Sequence, residues 1–230
     1  MHEKRHYGQF CGLAAGLDIV GERWTLLIVR ELLLAPARFS ELADNLPGIG
    51  PNLLSDRLRS LTERGLITAA PVPGDGRGKQ YRLTHLGEQL RQPLLELARW
   101  GMSFLSEKDA AGGVSRGAWE FLAVQAMAHG HEVPNVTEAY EFRVDDDVFH
   151  FRLSGGKATP ARGAAGEPSV VVHADATTFV KIGAAMLKPL DALESGALRI
   201  DGDDAAARRC ARLLGLPTGP HLTGTRSGRG

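Results

Sequence analysis

The chain has 230 residues, 43% of them hydrophobic and 23% charged, and its 27 Lys and Arg balance 27 Asp and Glu. This length and composition are ordinary for a globular chain of one or two domains, two being favoured. No apolar run reaches the roughly 18 residues of a membrane span. The charged N-terminus lacks the apolar segment of a secretory signal, and Cys11 and Cys210 show neither a disulfide framework nor metal-ligand spacing. Membrane and secreted classes are therefore excluded, and a cytoplasmic protein is predicted.

Helical patterns open the chain. Residues 10–20 predict a short packed helix, and residues 22–34 (ERWTLLIVRELLL) a longer one that is apolar, and so buried, on most sides. Ala35-Pro36 should end this helix because the residue before a proline avoids the helical region. We expect Ser40 to cap the next helix, which ends near Pro47-Gly48.

An amphipathic helix is predicted next, over residues 51–64. Gly50 stands where an N-cap belongs, and Pro51 at the first helical position, where its missing N–H costs nothing. The buried stripe is formed by Leu54, Leu58, Leu61 and Gly65. The opposite side carries Asn52, Ser55, Asp56, Arg59, Ser60 and Glu63, with Arg57 at the flank. Such side chains in the first two turns can hydrogen-bond base edges. A solvated face with ordinary charges is the alternative.

Two extended runs, Leu66–Val72 and Gln80–Thr84, surround a Gly-rich tip and predict a hairpin. Arg77 and Lys79 on the tip are free to meet phosphates or the minor groove. Helix, turn, helix and hairpin together predict a winged helix-turn-helix, which binds double-stranded DNA with its second helix in the major groove. The candidate DNA-binding residues are Arg38, Asn52, Ser55, Asp56, Arg57, Arg59, Ser60, Arg77 and Lys79.

The charge balance does not predict a strongly basic protein surface that would attract DNA. Residues 1–106 carry 13 Lys and Arg against 11 Asp and Glu. DNA affinity must therefore come from local clustering on the helix and hairpin, doubled by a dimer.

A further apolar helix is predicted over residues 86–105, with a kink or break at Pro93. Trp100 and Phe104 enlarge its apolar surface, and we expect another part of the protein or a second subunit to bury it. A second subunit is favoured because two-fold homodimers are common. The C-terminal domain of the same chain is the alternative.

Several motifs in register carry a family resemblance across residues 8–105: GERWTLLIVREL (21–32), RFSEL (38–42), LPGIGPNLLSDRLRSLTERGL (46–66) and YRLTHLGEQL (81–90). This half resembles the HxlR-type winged helix-turn-helix regulators. The resemblance implies a homodimeric bacterial transcription factor on a pseudo-palindromic operator. Gly50 departs from the usual Ser cap, at a cost of only a few tenths of a kcal/mol.

Cys11 matches the N-terminal cysteine with which some members of this family sense oxidants or electrophiles. Lys4, Arg5 and His6 could lower its pKa. A free cysteine more often behaves as a small buried apolar residue, so both interpretations stay open.

A polar, Gly/Ala-rich linker is predicted at 106–117, and a second unit begins at Ala118. Its first helix has almost no polar face. Alternating residues then predict a hairpin, with Tyr140, Phe142 and Val144 inward beside Phe149, Phe151 and Leu153, and Glu141 and Arg143 outward. Later elements are predicted as a mobile loop at 154–168 with a short strand near Ala158, a strand at 169–173, a helix capped by Asp175 and running to Leu187, a turn of helix at 189–194, a strand at 197–200 and a helix at 203–214.

This order, with SGALRIDGD at 195–203, resembles the sterol-carrier-protein fold. That family implies a five-stranded sheet with helices around an apolar tunnel for lipid-like molecules. The candidate ligand-binding residues are Trp119, Leu122, Met127, Phe142, Phe149, Phe151, Phe179, Met186 and Leu187. An ordinary core is the alternative for most of them. His150 and His173 are better explained as surface residues than as ligand anchors.

The predicted fold class is α+β, and no catalytic motif, metal cluster or cofactor fingerprint is found, so no enzyme is predicted. The predicted domains are 1–105 for DNA binding and dimerisation, 106–117 as linker, 118–216 for ligand binding and 217–230 as a disordered tail. Two functions remain: a DNA-binding regulator modulated by an apolar effector, and an apolar-metabolite binding protein whose winged helix makes protein contacts.

Overall fold

The computed structural model describes residues 6–72 and 75–218, and it describes no side chains at 75–77. The predicted tail therefore lies, apart from Pro217 and Thr218, outside the described residues. The chain divides into two compact units, Met1–Leu94 and Leu95–Gly230. This division falls within a helix, and the domain limits inferred from the sequence stay a prediction.

The first unit combines helices with a three-stranded antiparallel sheet in the order β1-β3-β2. Its elements are α1 (Gly12–Val20), α2 (Thr25–Leu34), β1 (Ala37–Arg38), α3 (Phe39–Asn45), α4 (Pro51–Glu63), β2 (Ile67–Val72), β3 (Asp75–Leu83) and α5 (His85–Glu88), and it contains the start of α6 (Arg91–Met102). Ile28, Val29, Leu42, Leu54 and Leu61 form the centre of its core, each at most 1% exposed. The winged helix-turn-helix expected from the sequence is present.

Two predictions for this unit need correction or refinement. Ser40 is not a cap: α3 already begins at Phe39, because Arg38 is extended and paired with Gln80 of β3. The Arg38 N–H donates to Glu41 Oε2 at 2.6 Å and so closes the start of the helix. The break expected at Pro93 is found, but it precedes the proline: α6 begins at Arg91, and Pro93 lies in its first turn, where it is tolerated.

The second unit is built on a five-stranded sheet in the order β6-β5-β4-β7-β8, with β4 and β7 parallel. Its elements after α6 are α7 (Glu107–Gly112), α8 (Gly117–Ala128), β4 (Glu138–Val144), β5 (Asp147–Ser154), β6 (Lys157–Arg162), β7 (Val170–Ala174), α9 (Ala176–Gly183), α10 (Pro189–Glu194), β8 (Leu198–Gly202) and α11 (Asp204–Leu213). Helix α8 packs on β4, β5 and α9. The alternation predicted for the hairpin is confirmed on its inner face, where Tyr140, Phe142 and Val144 are fully buried.

Two segments of this unit differ from their predictions, and a predicted strand between them is confirmed. The expected linker contains α7, whose start is closed by a capping box between Ser106 and Asp109. The short strand predicted near Ala158 is confirmed as the six-residue β6, because Gly155 and Gly156, both at positive φ, turn the chain back onto β5. Helix α9 ends at Gly183 instead of Leu187, since Ala185 adopts a left-handed conformation with φ 57°.

Candidate nucleic-acid interface and apolar pocket

Helix α4 is held by three leucines on one side. Leu54, Leu58 and Leu61 are at most 2% exposed. Pro51 occupies the first helical position after Gly50, which is extended with φ −74° and ψ 148°, as predicted. The opposite side of the first two turns is therefore fixed in direction by core packing.

That opposite side is polar and open. Asn52, Ser55, Asp56 and Arg59 are all exposed. Arg59 Nη2 lies 3.4 Å from Asp56 Oδ1, and both side chains are more than half exposed, so the pair is weak and can open. Four hydrogen-bonding side chains thus share the surface that a recognition helix turns to base edges.

The remaining candidates on this helix are less open. Arg57 is half-buried, and its guanidinium donates to Glu22 Oε2 at 2.9 Å and to the Arg23 carbonyl at 3.2 Å. It ties α4 to the residues before α2, and its contact with DNA stays a prediction. Ser60 and Arg38 are also half-buried.

The turn that leads into α4 packs against Trp24, a contact that the sequence did not predict. Trp24 precedes α2 with φ 77°, a left-handed conformation that costs about 1–3 kcal/mol for a residue with a side chain. Its ring lies 3.6 Å from where a Cβ would stand on Gly48, which itself has φ 95°. A glycine fits this turn because it accepts the positive φ.

The hairpin of β2 and β3 pairs in regular antiparallel register from Ile67 with Leu83 to Pro71 with Lys79. Lys79 is exposed near the tip, and Arg82 is a second exposed cation on β3 that sequence reasoning missed. The side chain of Arg77 lies outside the described residues.

Apolar side chains on α1 and α6 face solvent. On α1, Leu13 is 73% exposed and Leu17 39%. Around the end of α6, Leu97, Trp100 and Phe104 are 47%, 63% and 67% exposed, and the two aromatic rings stack edge to face at 4.7 Å. We call these three residues the α6 stripe. Neighbouring exposed apolar residues such as those of the α6 stripe form a candidate interaction surface.

Cys11 stands immediately before α1 and is exposed. The backbone N–H groups of Ala14 and Leu13 at the start of the helix lower the pKa of its thiol below the ordinary value. Cys210 is the opposite case, because complete burial raises the pKa of its thiol. The burial expected of a free cysteine applies to Cys210 and not to Cys11.

The second unit contains two adjoining pockets. The narrow cavity, about 50 Å³, has an apolar lining: Met127, Phe142, Val170, Val172, Phe179, Ile182, Pro189, Leu198, Ile200, Ala207, Cys210, Ala211, Leu214, Leu216 and Pro217. The outer pocket, about 320 Å³, is lined by Arg99, Met102, Ser103, Met127, His131, Ile182, Gly183, Ala184, Ala185, Leu187, Lys188, Pro189, Leu214, Gly215, Leu216 and Pro217. The narrow cavity lies between strands β4, β7 and β8 and the helices, whereas the outer pocket is lined by α6, α8 and the segments around α9 and after α11.

The nine predicted ligand residues divide between cavity and core. Met127, Phe142 and Phe179 line the narrow cavity, and Leu187 lines the outer pocket together with Met127. Neither lining contains the other five: Trp119, Leu122, Phe149, Phe151 and Met186. Phe149 stacks on Phe142 with ring centroids 5.5 Å apart, in the role of an ordinary core residue. The sequence did not predict the lining residues of α11 and of the segment after it, which are Ala207, Cys210, Ala211, Leu214, Leu216 and Pro217.

Two polar residues on the sheet contradict the prediction that they are exposed. Glu141 and His150 were expected to face solvent, but they are 1% and 4% exposed. The segment after β6 covers them: the Ala165 N–H donates to Glu141 Oε2 at 2.8 Å, and His150 Nδ1 lies 2.8 Å from the Gly163 carbonyl oxygen. Burial raises the pKa of Glu141, but the Ala165 N–H and Arg143 outweigh it and leave that pKa below its ordinary value. His173, by contrast, is half-buried.

Among the described residues, no helix has the length and apolar character needed to cross a membrane. Within the same part of the chain, no group of three His, Cys, Asp or Glu side chains could hold a metal ion.

Two family models match the chain. Residues 19–109 match the HxlR-like helix-turn-helix family, and residues 122–215 match the SCP-2 sterol transfer family.

Similar proteins are named as regulators. An uncharacterized HTH-type transcriptional regulator of Mycobacterium tuberculosis strain CDC 1551 is 45% identical over 101 residues, which are 44% of this chain and 62% of that relative. The chain thus spans somewhat less than two thirds of the length of that relative. The uncharacterized HTH-type transcriptional regulator YvaP of Bacillus subtilis strain 168 is 34% identical over 89 residues, 39% of this chain and 82% of YvaP.

Solved structures include the reduced form of the transcriptional regulator YodB from B. subtilis. It is 26% identical, and the match covers 43% of this chain and 98% of that chain with a TM-score of 0.38.

Proposed function

Because the chain belongs to the HxlR-like helix-turn-helix family of transcriptional regulators, we propose that it acts as a homodimer on a pseudo-palindromic operator and responds to an apolar effector. One observation carries the DNA-binding part: the exposed polar side of α4, with Asn52, Ser55, Asp56 and Arg59, stands over a fully buried leucine stripe. Arg and Asn are the residues that pair most specifically with guanine and adenine.

The dimer is supported by exposed apolar surface on both α1 and α6. A homodimer places two recognition helices one DNA turn apart, so its two-fold axis matches a palindromic site. Doubling the contacts also compensates for the weak net charge of the DNA-binding half.

The effector is supported by the match to the SCP-2 sterol transfer family and by the two adjoining pockets of the second unit. An effector changes DNA affinity only if it binds the DNA-bound and free states unequally.

The test is duplex binding by fluorescence anisotropy across a salt series. The expected result is a log–log slope that reports several phosphates, at about −0.9 per phosphate, with preference for a palindromic site selected from a random pool. A salt-independent or undetectable interaction would favour the alternative, an apolar-metabolite carrier whose winged helix makes protein contacts.

Thiol sensing is a second candidate, favoured by the exposure and lowered pKa of Cys11. Native protein should be alkylated at Cys11 near neutral pH, while Cys210 should react only after unfolding, since it is 3% exposed. Mass spectrometry of digested protein measures both. Sensing further requires that alkylated protein lose DNA affinity. Unchanged affinity would leave Cys11 without a sensing role, and Cys11→Ser serves as the control.

A further inference from the structure

The outer pocket and the narrow cavity share one wall. Six residues line both: Met127, Ile182, Pro189, Leu214, Leu216 and Pro217. Met127 is unbranched and adapts easily to a new neighbour, so a chain that enters the outer pocket can reach the narrow cavity past it. The narrow cavity, at about 50 Å³, has about a third of the roughly 150 Å³ that holds benzene, so only the last carbons of an alkyl chain enter it unless its wall adjusts.

The charges at the pockets have one sign. Arg99 and Lys188 line the outer pocket, and neither lining, as far as the structure describes them, includes an Asp or Glu. Both cations are exposed. Arg99 Nη1 donates to the His129 carbonyl at 2.9 Å, which holds the guanidinium at the pocket. A molecule that combines an alkyl chain with a single anionic head matches this distribution.

The lining also has two origins. Arg99, Met102 and Ser103 lie inside the stretch that matches the HxlR-like family, whereas most of the remaining lining residues lie inside the SCP-2 match. The pocket belongs to the second unit as a whole, and α6 supplies one of its two cations, Arg99. Neither family's segment alone contains the complete site.

We propose that Arg99 selects the effector: it binds the anionic head of a single-chain amphiphile whose alkyl chain fills the outer pocket and reaches the narrow cavity. This inference rests on the proposed effector function and adds the ligand class and the selecting residue. An alcohol of equal length offers the guanidinium a neutral hydroxyl oxygen in place of a carboxylate, and it binds more weakly because the charge-assisted hydrogen bond is the stronger one.

The position of Arg99 on α6 has a regulatory consequence. Leu97 and Trp100 of the α6 stripe lie two positions before it and one position after it, and they are 47% and 63% exposed. A head group bound to Arg99 therefore acts on the helix that carries the proposed dimer surface. An amphiphile that binds the dimer and the monomer with different affinities changes the dimerisation constant by the ratio of those affinities.

The test compares dodecanoate with 1-dodecanol by isothermal titration calorimetry on the full chain. Wild type should bind the acid at least about tenfold more tightly than the alcohol, as expected for one charge-assisted hydrogen bond. Arg99→Gln should remove most of that preference while keeping the affinity for the alcohol. Arg99→Lys should keep part of it, and Lys157→Gln, which neutralises an exposed cation outside both linings, should keep all of it.

The outcomes distinguish the role of Arg99 from the proposed apolar effector and from DNA binding. Equal binding of acid and alcohol by wild type, or an unchanged preference in Arg99→Gln, overturns the role of Arg99 and leaves an apolar effector possible. Failure of both probes to bind overturns the role of Arg99 and the proposed apolar effector together, while DNA binding is judged by its own salt series. Thermal unfolding of each variant separates lost binding from lost folding. Ultracentrifugation of wild type and Arg99→Gln with dodecanoate should show a shift in dimerisation in wild type alone.

Discussion

At the scale of single residues, the arginines of α4 have different roles although they are two positions apart. Arg57 is held by Glu22 and the Arg23 carbonyl, so it orients the helix. Arg59 is 66% exposed in its side chain and is held only loosely by Asp56. The side chain that is free to reach a base is therefore Arg59.

Arg59→Ala should cost about 1–3 kcal/mol on a selected operator and relax specificity at one base position. Lys79→Ala should weaken binding to all duplexes alike and lower the salt slope by about one. Anisotropy titrations on selected and random duplexes measure both. Equal losses for Arg59→Ala on both duplexes would rule out base recognition by Arg59, and Lys157→Ala in the second unit is the control for general charge.

Glu141 makes a pH-dependent contribution to stability. Its pKa is lowered in the folded chain, so its contribution is complete above the unfolded pKa of about 4.3 and is lost as pH falls through the lower folded value. Glu141→Gln should reduce stability by about 1–2 kcal/mol at neutral pH and make the acid limb of the stability curve shallower. Urea unfolding at a series of pH values measures this. An acid limb as steep as that of wild type would contradict it, and exposed Glu167→Gln is the matched control.

At the scale of elements, α5 lies unusually close to the residue that precedes β2. A Cβ on Gly87 would stand 2.1 Å from the Leu66 carbonyl oxygen, so only glycine allows this approach. The same contact is supported by the Thr84 N–H, which donates to the Leu66 carbonyl at 2.9 Å. The short helix α5 thereby fixes the base of the hairpin.

Gly87→Ala should destabilise the first unit by about 1–3 kcal/mol because backbone must move to admit the methyl group. Gly101→Ala on α6 meets open space within a helix and should stabilise by up to about 1 kcal/mol. Urea unfolding followed by circular dichroism compares them. A neutral Gly87→Ala would show that the approach can relax at no cost.

At the scale of the whole molecule, the α6 stripe is an apolar surface that a monomer leaves exposed. Interfaces concentrate their binding energy in central aromatic residues, and Trp100 with Phe104 forms such a pair. Their place near the end of the DNA-binding half gives a dimer the opportunity to set the spacing of two recognition helices.

The double variant Trp100→Ser/Phe104→Ser should weaken dimerisation by more than tenfold and weaken operator binding with it, since hot-spot residues contribute at least about 2 kcal/mol each. Sedimentation equilibrium measures the first effect and anisotropy the second. Val114→Ser, which alters an apolar residue that is 61% exposed outside the stripe, should change neither. A double variant that dimerises like wild type would place the interface elsewhere.

Local chemistry was enough to predict the elements that depend on neighbouring residues. Gly50-Pro51 marks the start of α4, Asp175 caps α9 through the Thr178 N–H at 2.7 Å, and alternation identifies the β4–β5 hairpin. These features depend on backbone sterics and on periodicity, both of which lie within a short window of sequence. The polar side of α4 follows from the same periodicity.

Only the tertiary structure decided which polar residues are covered and which apolar residues enclose space. Glu141 and His150 alternate like surface residues, yet the segment after β6 buries them. The Ala165 N–H donates to Glu141 and the Gly163 carbonyl pairs with His150 Nδ1, while His150 Nε2 has no hydrogen-bond partner in the part of the chain that the structure describes. The pocket rim needed the same information: Arg99 and Lys188 are 89 positions apart in the sequence and share one lining only after folding. Periodicity assigns a residue to a face, but what covers that face depends on long-range packing that no local pattern records.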